Sequence, residues 1–171
     1  GHQLHFTHKL WQSWLLNLTG MYNQNTMESE NYASRNFVID TYETEGKFSY
    51  LFSENARLSL FYQFSQKENL MGDLENLMQH TLGTQFSFHN AEKYAINGEF
   101  NYISNDFTGS AFSPVAFQML DGLQPGKNYT WTLLFQRKIT NYLYLNLSYF
   151  GRKSETSKTI HTGSVQLKAY F

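Results

Sequence analysis

The last twelve residues of the chain alternate between apolar and polar side chains. Counting back from Phe171 in steps of two gives Ala169, Leu167, Val165 and Gly163. The intervening positions are Tyr170, Lys168, Gln166, Ser164 and Thr162. Successive side chains of a β-strand point to opposite faces, so the pattern predicts a strand between an apolar and a wet phase.

The same alternation of apolar and polar residues, with a period of two, recurs along the chain and predicts about nine antiparallel strands. Short predicted connections follow Leu10, Phe52, Phe88 and Lys138, and long ones follow Tyr22, Phe64, Tyr102 and Gly151. This strict alternation is typical of outer-membrane barrels, in which one rim consists of turns and the other of long loops. We therefore expect an all-β fold, an antiparallel up-and-down transmembrane β-barrel, or the C-terminal eight to nine or more strands of a larger one.

Periodicity alone does not say which face is buried, since a soluble barrel with an apolar interior gives the same alternation. Composition favours the membrane barrel. Charged residues are only 16% of the chain, against roughly 25% in soluble domains. The polar strand positions are mostly Asn, Ser, Thr and Gln, whereas a surface in water is richer in Lys and Glu. Aromatic residues, 18% of the chain, gather near the predicted strand ends, as in interfacial girdles.

The chain of 171 residues is expected to form one β-barrel domain or C-terminal barrel segment over residues 1–171. If the last strand ends at the short-turn rim, the first strand runs downwards, whereas an even-stranded barrel with periplasmic termini begins with an upward strand. We therefore expect further strands outside this chain. The alternative is an eight-stranded barrel in which residues 1–10 are not a wall strand.

The longest predicted connection, from Asn105 to about Asn128, carries the one helical signal. Ser113 is a suitable N-cap, and Pro114 suits the first helical position. The predicted turn continues through Val115 to Leu120 and ends at Gly122. Because binding residues collect on loops held by a rigid scaffold, this connection is the expected place for recognition.

A small set of charged residues is expected to face the lumen. Inward charges form a salt-bridged plug in a narrow barrel or set selectivity in a wide one. The predicted lumen charges are Glu43, Glu45, Arg57, Glu99, Arg137 and Lys168.

Catalytic and metal-binding signals are weak. The spacing of His2, His5 and His8 suits a helical metal face, but on a strand it places the middle residue opposite the other two. Two serine and histidine pairs, Ser87 with His89 and Ser164 with His161, resemble those of lipid-modifying barrel enzymes but lack a surrounding motif. We expect no enzyme activity, no metal and no cofactor. The formal charge of −1 disfavours nucleic acid as a partner.

The C-terminal part of the chain resembles the C-terminal barrel region of large outer-membrane β-barrel proteins of Bacteroidota. The segments concerned are GLQPGKNYTW from Gly122, GRKSE from Gly151 and the closing HTGSVQLKAYF. The end is also similar to the signal read by the barrel assembly machinery, with Val165, Leu167, Ala169 and Phe171 as its residues. Ala169 departs from that signal, because a bulkier residue is common at its position.

These observations and the resemblance imply an outer-membrane protein of a Gram-negative bacterium. The leading hypothesis is part of a porin-like pore, transport or secretion channel with long extracellular loops. The structural alternative is an outer-membrane scaffold or adhesion barrel without a conducting pore. A soluble lipocalin-like barrel and a lipid-modifying barrel enzyme are more distant alternatives. Expected partners are outer-membrane lipid and lipopolysaccharide, the barrel assembly machinery and, in a membrane complex, other subunits.

Overall fold

The computed structural model describes residues 1–30, 36–72, 74–90 and 93–170, so Phe171 and parts of the predicted connections lie outside the described residues. Within these ranges the chain forms nine strands and one short helix. They are β1 (His2–Trp11), β2 (Trp14–Met27), β3 (Phe37–Ser53), β4 (Ala56–Asn69), β5 (Asn76–Asn90), β6 (Tyr94–Thr108), α1 (Pro114–Met119), β7 (Gly126–Thr140), β8 (Leu143–Ser154) and β9 (Ile160–Ala169). Each strand pairs antiparallel with the next in a single sheet, β1 to β9. The predicted all-β, up-and-down fold is confirmed.

The connections alternate in length, as the sequence predicts. The short ones are residues 12–13, 54–55, 91–93 and 141–142, and the long ones are residues 28–36, 70–75, 109–125 and 155–159. Consecutive strands run in opposite directions, so all short connections lie at one end of the sheet and all long ones at the other. We call these the short-turn end and the long-loop end.

Several strands extend further towards the long-loop end than the alternation predicts. Strand β2 continues to Met27, where the sequence suggests a connection from Asn23. Asn23 to Thr26 lie opposite Thr41 to Val38 on β3. Likewise, β4 and β5 leave only residues 70–75 as a connection, although the sequence suggests a long connection after Phe64. Backbone hydrogen bonds to a neighbouring strand extend the ladder where side chains no longer alternate.

The first ten residues belong to the wall. His2 lies opposite Tyr22 and Trp11 opposite Trp14, so β1 pairs with β2 along its length. This contradicts the alternative in which residues 1–10 are not a wall strand. Among the described residues the sheet has two edges, β1 and β9, which are not paired with each other.

The two faces of the sheet differ sharply in chemistry and exposure. On β4, Ser59 is 4% exposed whereas its neighbour Leu60 is 55% exposed. We call the face that carries Ser59 the inner face and the face that carries Leu60 the outer face. The inner face includes the buried polar residues Ser49, Ser59, Ser65, Thr81, Asn105 and Asn128. The outer face includes the exposed apolar residues Leu4, Phe6, Leu58, Leu60, Leu82, Phe86, Phe100, Leu133, Val165 and Leu167.

The sheet curls around its inner face. Residues from the six strands β2 to β7, Asn17 and Thr132 among them, line one cavity of about 380 Å³. Neighbouring strands are about 4.8 Å apart, so a flat sheet would separate β2 from β7 by roughly 24 Å. The curvature therefore makes the inner face concave, as in a β-barrel or part of one.

Helix α1 covers the inner face at the long-loop end. Ser113 caps it by accepting a hydrogen bond from the Ala116 backbone nitrogen, and Pro114 occupies its first turn, as predicted. The helix packs into the main apolar cluster, which consists of Phe37, Ile39, Leu77, Val115, Ala116, Met119 and Leu120, with Phe107 against it. In the described part of the chain, no helix has the length and apolar character needed to cross a bilayer.

Candidate functional site

The candidate site is the concave inner face together with the connection that folds against it. Directly opposed residues of antiparallel strands share a face, so the register shows which side chains meet. One row runs through Glu45, Gln63 and Thr81, and the next through Glu43, Ser65 and Gln79. These rows place carboxylates, amides and hydroxyls side by side on a surface that can hydrogen bond to water or to a polar solute.

Five of the six predicted lumen charges lie on the inner face. They are Glu43, Glu45, Arg57, Glu99 and Lys168. Arg137 does not, because it lies between Tyr94 and Leu145 in the register and therefore belongs to the outer face. Its assignment to the lumen is wrong, because Arg137 follows Leu133 and Phe135 in steps of two and keeps their outer face.

Two of the inward charges, Glu45 and Glu99, have local partners. Lys47 lies 3.6 Å from Glu45 on the same strand, with both side chains about a quarter exposed. Glu99 accepts hydrogen bonds from the Gln85 side chain at 3.0 Å and from the Asn101 side chain at 2.7 Å. Each contact keeps a charge solvated within a partly closed space.

A phenylalanine occupies the middle of the polar inner face. Phe61 is buried, and its ring lies over Gly83 on the neighbouring strand, where a Cβ would clash with the ring. The Lys47 ammonium lies 5.3 Å from the ring centroid, within cation–π range. The glycine thus gives the ring space, and the ring shields the backbone there.

We call residues 109–125 the inner loop, because this connection lies against the inner face. The Lys67 ammonium on β4 donates to the Met119 carbonyl at 2.8 Å and to the Asp121 carboxylate at 2.7 Å. Arg152 on β8 donates to the Gly122 carbonyl at 3.0 Å. Two strands on opposite sides of the loop therefore hold the segment that follows α1.

Two buried asparagines fix the end of the inner loop. The Asn128 side chain donates to the Gln124 carbonyl at 2.8 Å and accepts a hydrogen bond from Ser154. The Asn105 side chain donates to the same carbonyl at 3.0 Å. Because each amide is buried and bonded to the backbone, the loop enters β7 in a defined conformation.

A polar cavity of about 270 Å³ remains between the inner loop and the sheet. It is lined in part by Glu43, Ser65, Asn101 and Asp121. Within the described residues, Ser65 Oγ and Asn101 Oδ1 are buried and have no protein partner. A cavity this polar and this large can hold water, which would supply the missing hydrogen bonds.

On the outer face, two histidines pair with tyrosines towards the long-loop end. The Tyr62 hydroxyl lies 2.7 Å from His80 Nδ1, and the Tyr149 hydroxyl lies 2.7 Å from His161 Nδ1. The Trp131 ring also contacts His161, at 5.7 Å between centroids. Each hydroxyl to imidazole contact satisfies a polar group on a largely apolar face.

The weaker sequence candidates do not assemble into reactive sites. His161 lies on the outer face and Ser164 on the inner face, so that pair is separated by the sheet. Ser87 and His89 share the inner face, but no hydrogen bond joins them among the described residues. His5 bonds to Thr19 and Thr7. No group of three or more histidine or acidic residues in the described ranges could hold a metal ion. The absence of enzyme activity stays a prediction.

The described residues of the expected assembly signal lie on one side of β9. Val165 and Leu167 are 71% and 63% exposed on the outer face. Ala169 shares that face through its pairing with Leu143. Phe171 lies outside the described residues.

Sequence reasoning missed several residues of the site. Lys67 falls in a stretch predicted as a connection, and its partner Asp121 is 54 residues away. Asn128 is fully buried, although it lies where the sequence suggests only the end of a loop. An inward lysine or asparagine near a strand end can hold a loop. The sequence does not show this, because it does not give the register that sets which loop the side chain reaches.

Comparison with known proteins adds no relative. No protein-family model matches the sequence, and a search of curated proteins finds no match. The fold and the site define the chain as an all-β protein with one antiparallel up-and-down sheet, a polar concave face and an inward-folded loop. It is a β-barrel or part of one.

Proposed function

We propose that this chain forms part of the wall of a transmembrane β-barrel in a bacterial outer membrane. In this proposal the outer face contacts lipid and the inner face contacts an aqueous lumen. The observation behind it is the exposure of apolar side chains such as Leu60 and Val165 beside buried polar residues such as Ser59. Exposing a leucine to water costs about 1.5 to 3 kcal/mol, so a face of this kind needs an apolar environment.

Strand length supports the same proposal. A tilted strand crosses a bilayer with about 9 to 11 residues. Strand β3 has 17 residues, and β5, β6 and β7 have 15 each. The surplus residues lie at the long-loop end, where the outer face carries Asp40, Glu68 and Asp106 and the inner face packs against α1. We therefore place the long connections outside the cell and the short ones in the periplasm.

Placement in lipid can be tested with single cysteines, because the chain has none. Leu60→Cys and Gln63→Cys place a label on opposite faces of β4, near the middle of the strand. In vesicles of brominated lipid, a bimane label at residue 60 should be quenched and a label at residue 63 should not. Equal quenching at both positions would refute the orientation.

For activity, we propose passage of a solute or polypeptide through the complete barrel. The inner face has amides, hydroxyls and charges of both signs, as a hydrated pathway needs. The two edges, β1 and β9, leave room for further strands that would close the wall. Conductance of the full-length protein in planar bilayers tests this proposal, and a silent barrel would contradict it.

The inner loop favours a second candidate, an outer-membrane scaffold or adhesion barrel that does not conduct. The loop is held by Lys67, Arg152 and Asn128, and α1 packs over the inner face. Replacing residues 110–121 by a short glycine-serine linker removes this obstruction. Conductance that appears only in that variant would identify the loop as a plug. Silence of both proteins would favour the scaffold.

The proposed partners follow from the membrane location. Lipid and lipopolysaccharide would contact the outer face, and the barrel assembly machinery would recognise Val165, Leu167 and Ala169 on β9 together with Phe171. Replacing Phe171 by Ser should lower the amount of assembled protein in the outer membrane. Unchanged assembly would remove this signal from the proposal.

A further inference from the structure

A second cavity, of about 450 Å³, lies at the short-turn end, far from the inner loop. The ends of β5 to β9 form it. Its lining includes His89, Lys93, Lys138, Tyr144, Lys168 and Tyr170. We call this cavity the lysine pocket.

The register aligns three lysines across four strands. Lys138 lies directly opposite Tyr144, and Tyr144 lies directly opposite Lys168, on the inner face. The Lys138 backbone nitrogen donates to the Lys93 carbonyl at 2.9 Å, so Lys93 continues the row just before β6. Strands are about 4.8 Å apart, so the row spans roughly 15 Å.

The charges of this row are not compensated within the described part of the chain. None of the described residues that line the pocket is acidic, and His89 lies beside the lysines on the inner face. The lysines deeper in the structure differ, because Lys47 has Glu45 and Lys67 has Asp121. Lys93 and Lys138 are direct neighbours, and Lys168 lies two strands from Lys138. Like charges this close repel each other, and a bound anion would relieve that repulsion.

The pocket also has groups that can orient a ligand. The Tyr144 and Tyr170 rings contact each other edge to face, with centroids 5.7 Å apart. The Tyr170 backbone nitrogen donates to the Tyr142 carbonyl at 2.9 Å, which fixes Tyr170 at the end of β9. Two phenols beside three ammonium groups provide further donors to anionic oxygens.

We propose that the lysine pocket binds a phosphate-bearing ligand. Lysine ammonium groups are point-like donors that suit phosphate oxygens. A row of three is matched by a ligand with more than one anionic oxygen group. The phosphate is supplied either by a soluble compound or by a phospholipid headgroup at the rim of the wall. This site is independent of the proposed passage through the barrel.

Calorimetric titration of the full-length protein in nonionic detergent tests the site, with inorganic pyrophosphate as one probe and short-chain phosphatidylglycerol as the other. Lys138→Gln and Lys168→Gln should each weaken binding about tenfold, as loss of a hydrogen bond to a charged group predicts. Lys168→Arg should retain binding, because the charge remains. Binding of pyrophosphate alone would indicate a soluble ligand, and binding of the lipid alone a headgroup.

The matched controls are Lys127→Gln and Lys153→Gln, which remove exposed lysines at the long-loop end. They should leave the affinity unchanged. Equal weakening by these variants, or binding of neither probe, would overturn the proposal. Because the titration needs neither a bilayer nor a current, its failure is distinguishable from failure of the proposed function. Unchanged circular dichroism spectra would show that the variants remain folded.

Discussion

The Lys67 ammonium lies 2.7 Å from the Asp121 carboxylate, across 54 residues of sequence. The same ammonium donates to the Met119 carbonyl at the end of α1. The Lys67 side chain is 12% exposed, whereas that of Asp121 is 61% exposed. The hydrogen bond from Lys67 to the Met119 carbonyl is therefore better shielded from water than the ion pair with Asp121. Solvent weakens the ion pair.

Lys67→Gln should loosen the inner loop. Removing the ammonium deletes both contacts, and we expect a local cost of about 1 kcal/mol. The Leu120 backbone N–H, which donates to the Ala116 carbonyl at 2.8 Å, is a probe of the opening of the inner loop. Its hydrogen exchange should become about fivefold faster, because local opening sets the exchange rate.

Asp121→Asn provides the comparison for that experiment. It removes the ion pair but leaves the contact between Lys67 and the Met119 carbonyl. Its effect on exchange should be smaller than that of Lys67→Gln. An equal or larger effect would show that the carboxylate, and not the carbonyl, holds the loop.

Ser113→Ala should destabilise α1. The Ser113 hydroxyl accepts a hydrogen bond from the Ala116 backbone nitrogen at 2.9 Å, and loss of such a cap costs about 1 kcal/mol. Hydrogen exchange at Ala116 should accelerate, while exchange in β9 stays the same. Ser110→Ala is the control, because only the backbone carbonyl of Ser110 takes part in this turn. Faster exchange in both variants would argue against the cap.

The architecture was predictable because the alternation of side chains reports directly on strands. Local sequence predicts the short connections after Phe52 and Lys138. It also predicts the helix cap at Ser113, which Pro114 follows. Each of these features depends on neighbours within a few residues. The inner face was also predictable, since Glu43 and Ser49 share a period of two.

The inner loop and the lysine pocket were not predictable in the same way. Lys67 meets Asp121, and Lys138 shares a row with Lys168, only after the strands are in register. The lumen prediction for Arg137 is wrong because a charge does not set the face of a strand residue; Arg137 keeps the outer face of Phe135, two residues before it. Sequence alternation sets the face within a strand, but contacts between strands depend on how the connections fold.

Gly83→Ala should disturb the inner face. A Cβ at residue 83 would overlap the Phe61 ring, so the ring would have to leave its position. Overpacking of this kind costs about 1 to 3 kcal/mol, and a urea titration should detect it. Gly20→Ala is the matched control, because a Cβ there meets nothing within 4 Å. The variant Phe61→Leu in the Gly83→Ala background should recover part of the loss. Equal unfolding midpoints for Gly83→Ala and Gly20→Ala would contradict this packing.

Arginine substitutions on the two faces of β4 test the proposed environment. Leu60 lies on the outer face between Phe48 and Thr84, whereas Gln63 lies on the inner face between Glu45 and Thr81. If the outer face contacts lipid, Leu60→Arg should cost roughly 2 to 4 kcal/mol of unfolding free energy in vesicles. Gln63→Arg should cost little, because its guanidinium reaches the Glu45 side and an aqueous lumen.

The same two variants show whether the outer face contacts lipid or water. In a soluble protein an exposed leucine tolerates arginine, since surface substitutions usually change stability by less than about 0.5 kcal/mol. A small effect of Leu60→Arg together with a large effect of Gln63→Arg would therefore reverse the proposed orientation. Urea-induced unfolding from large vesicles, followed by tryptophan fluorescence, measures both free energies under one set of conditions.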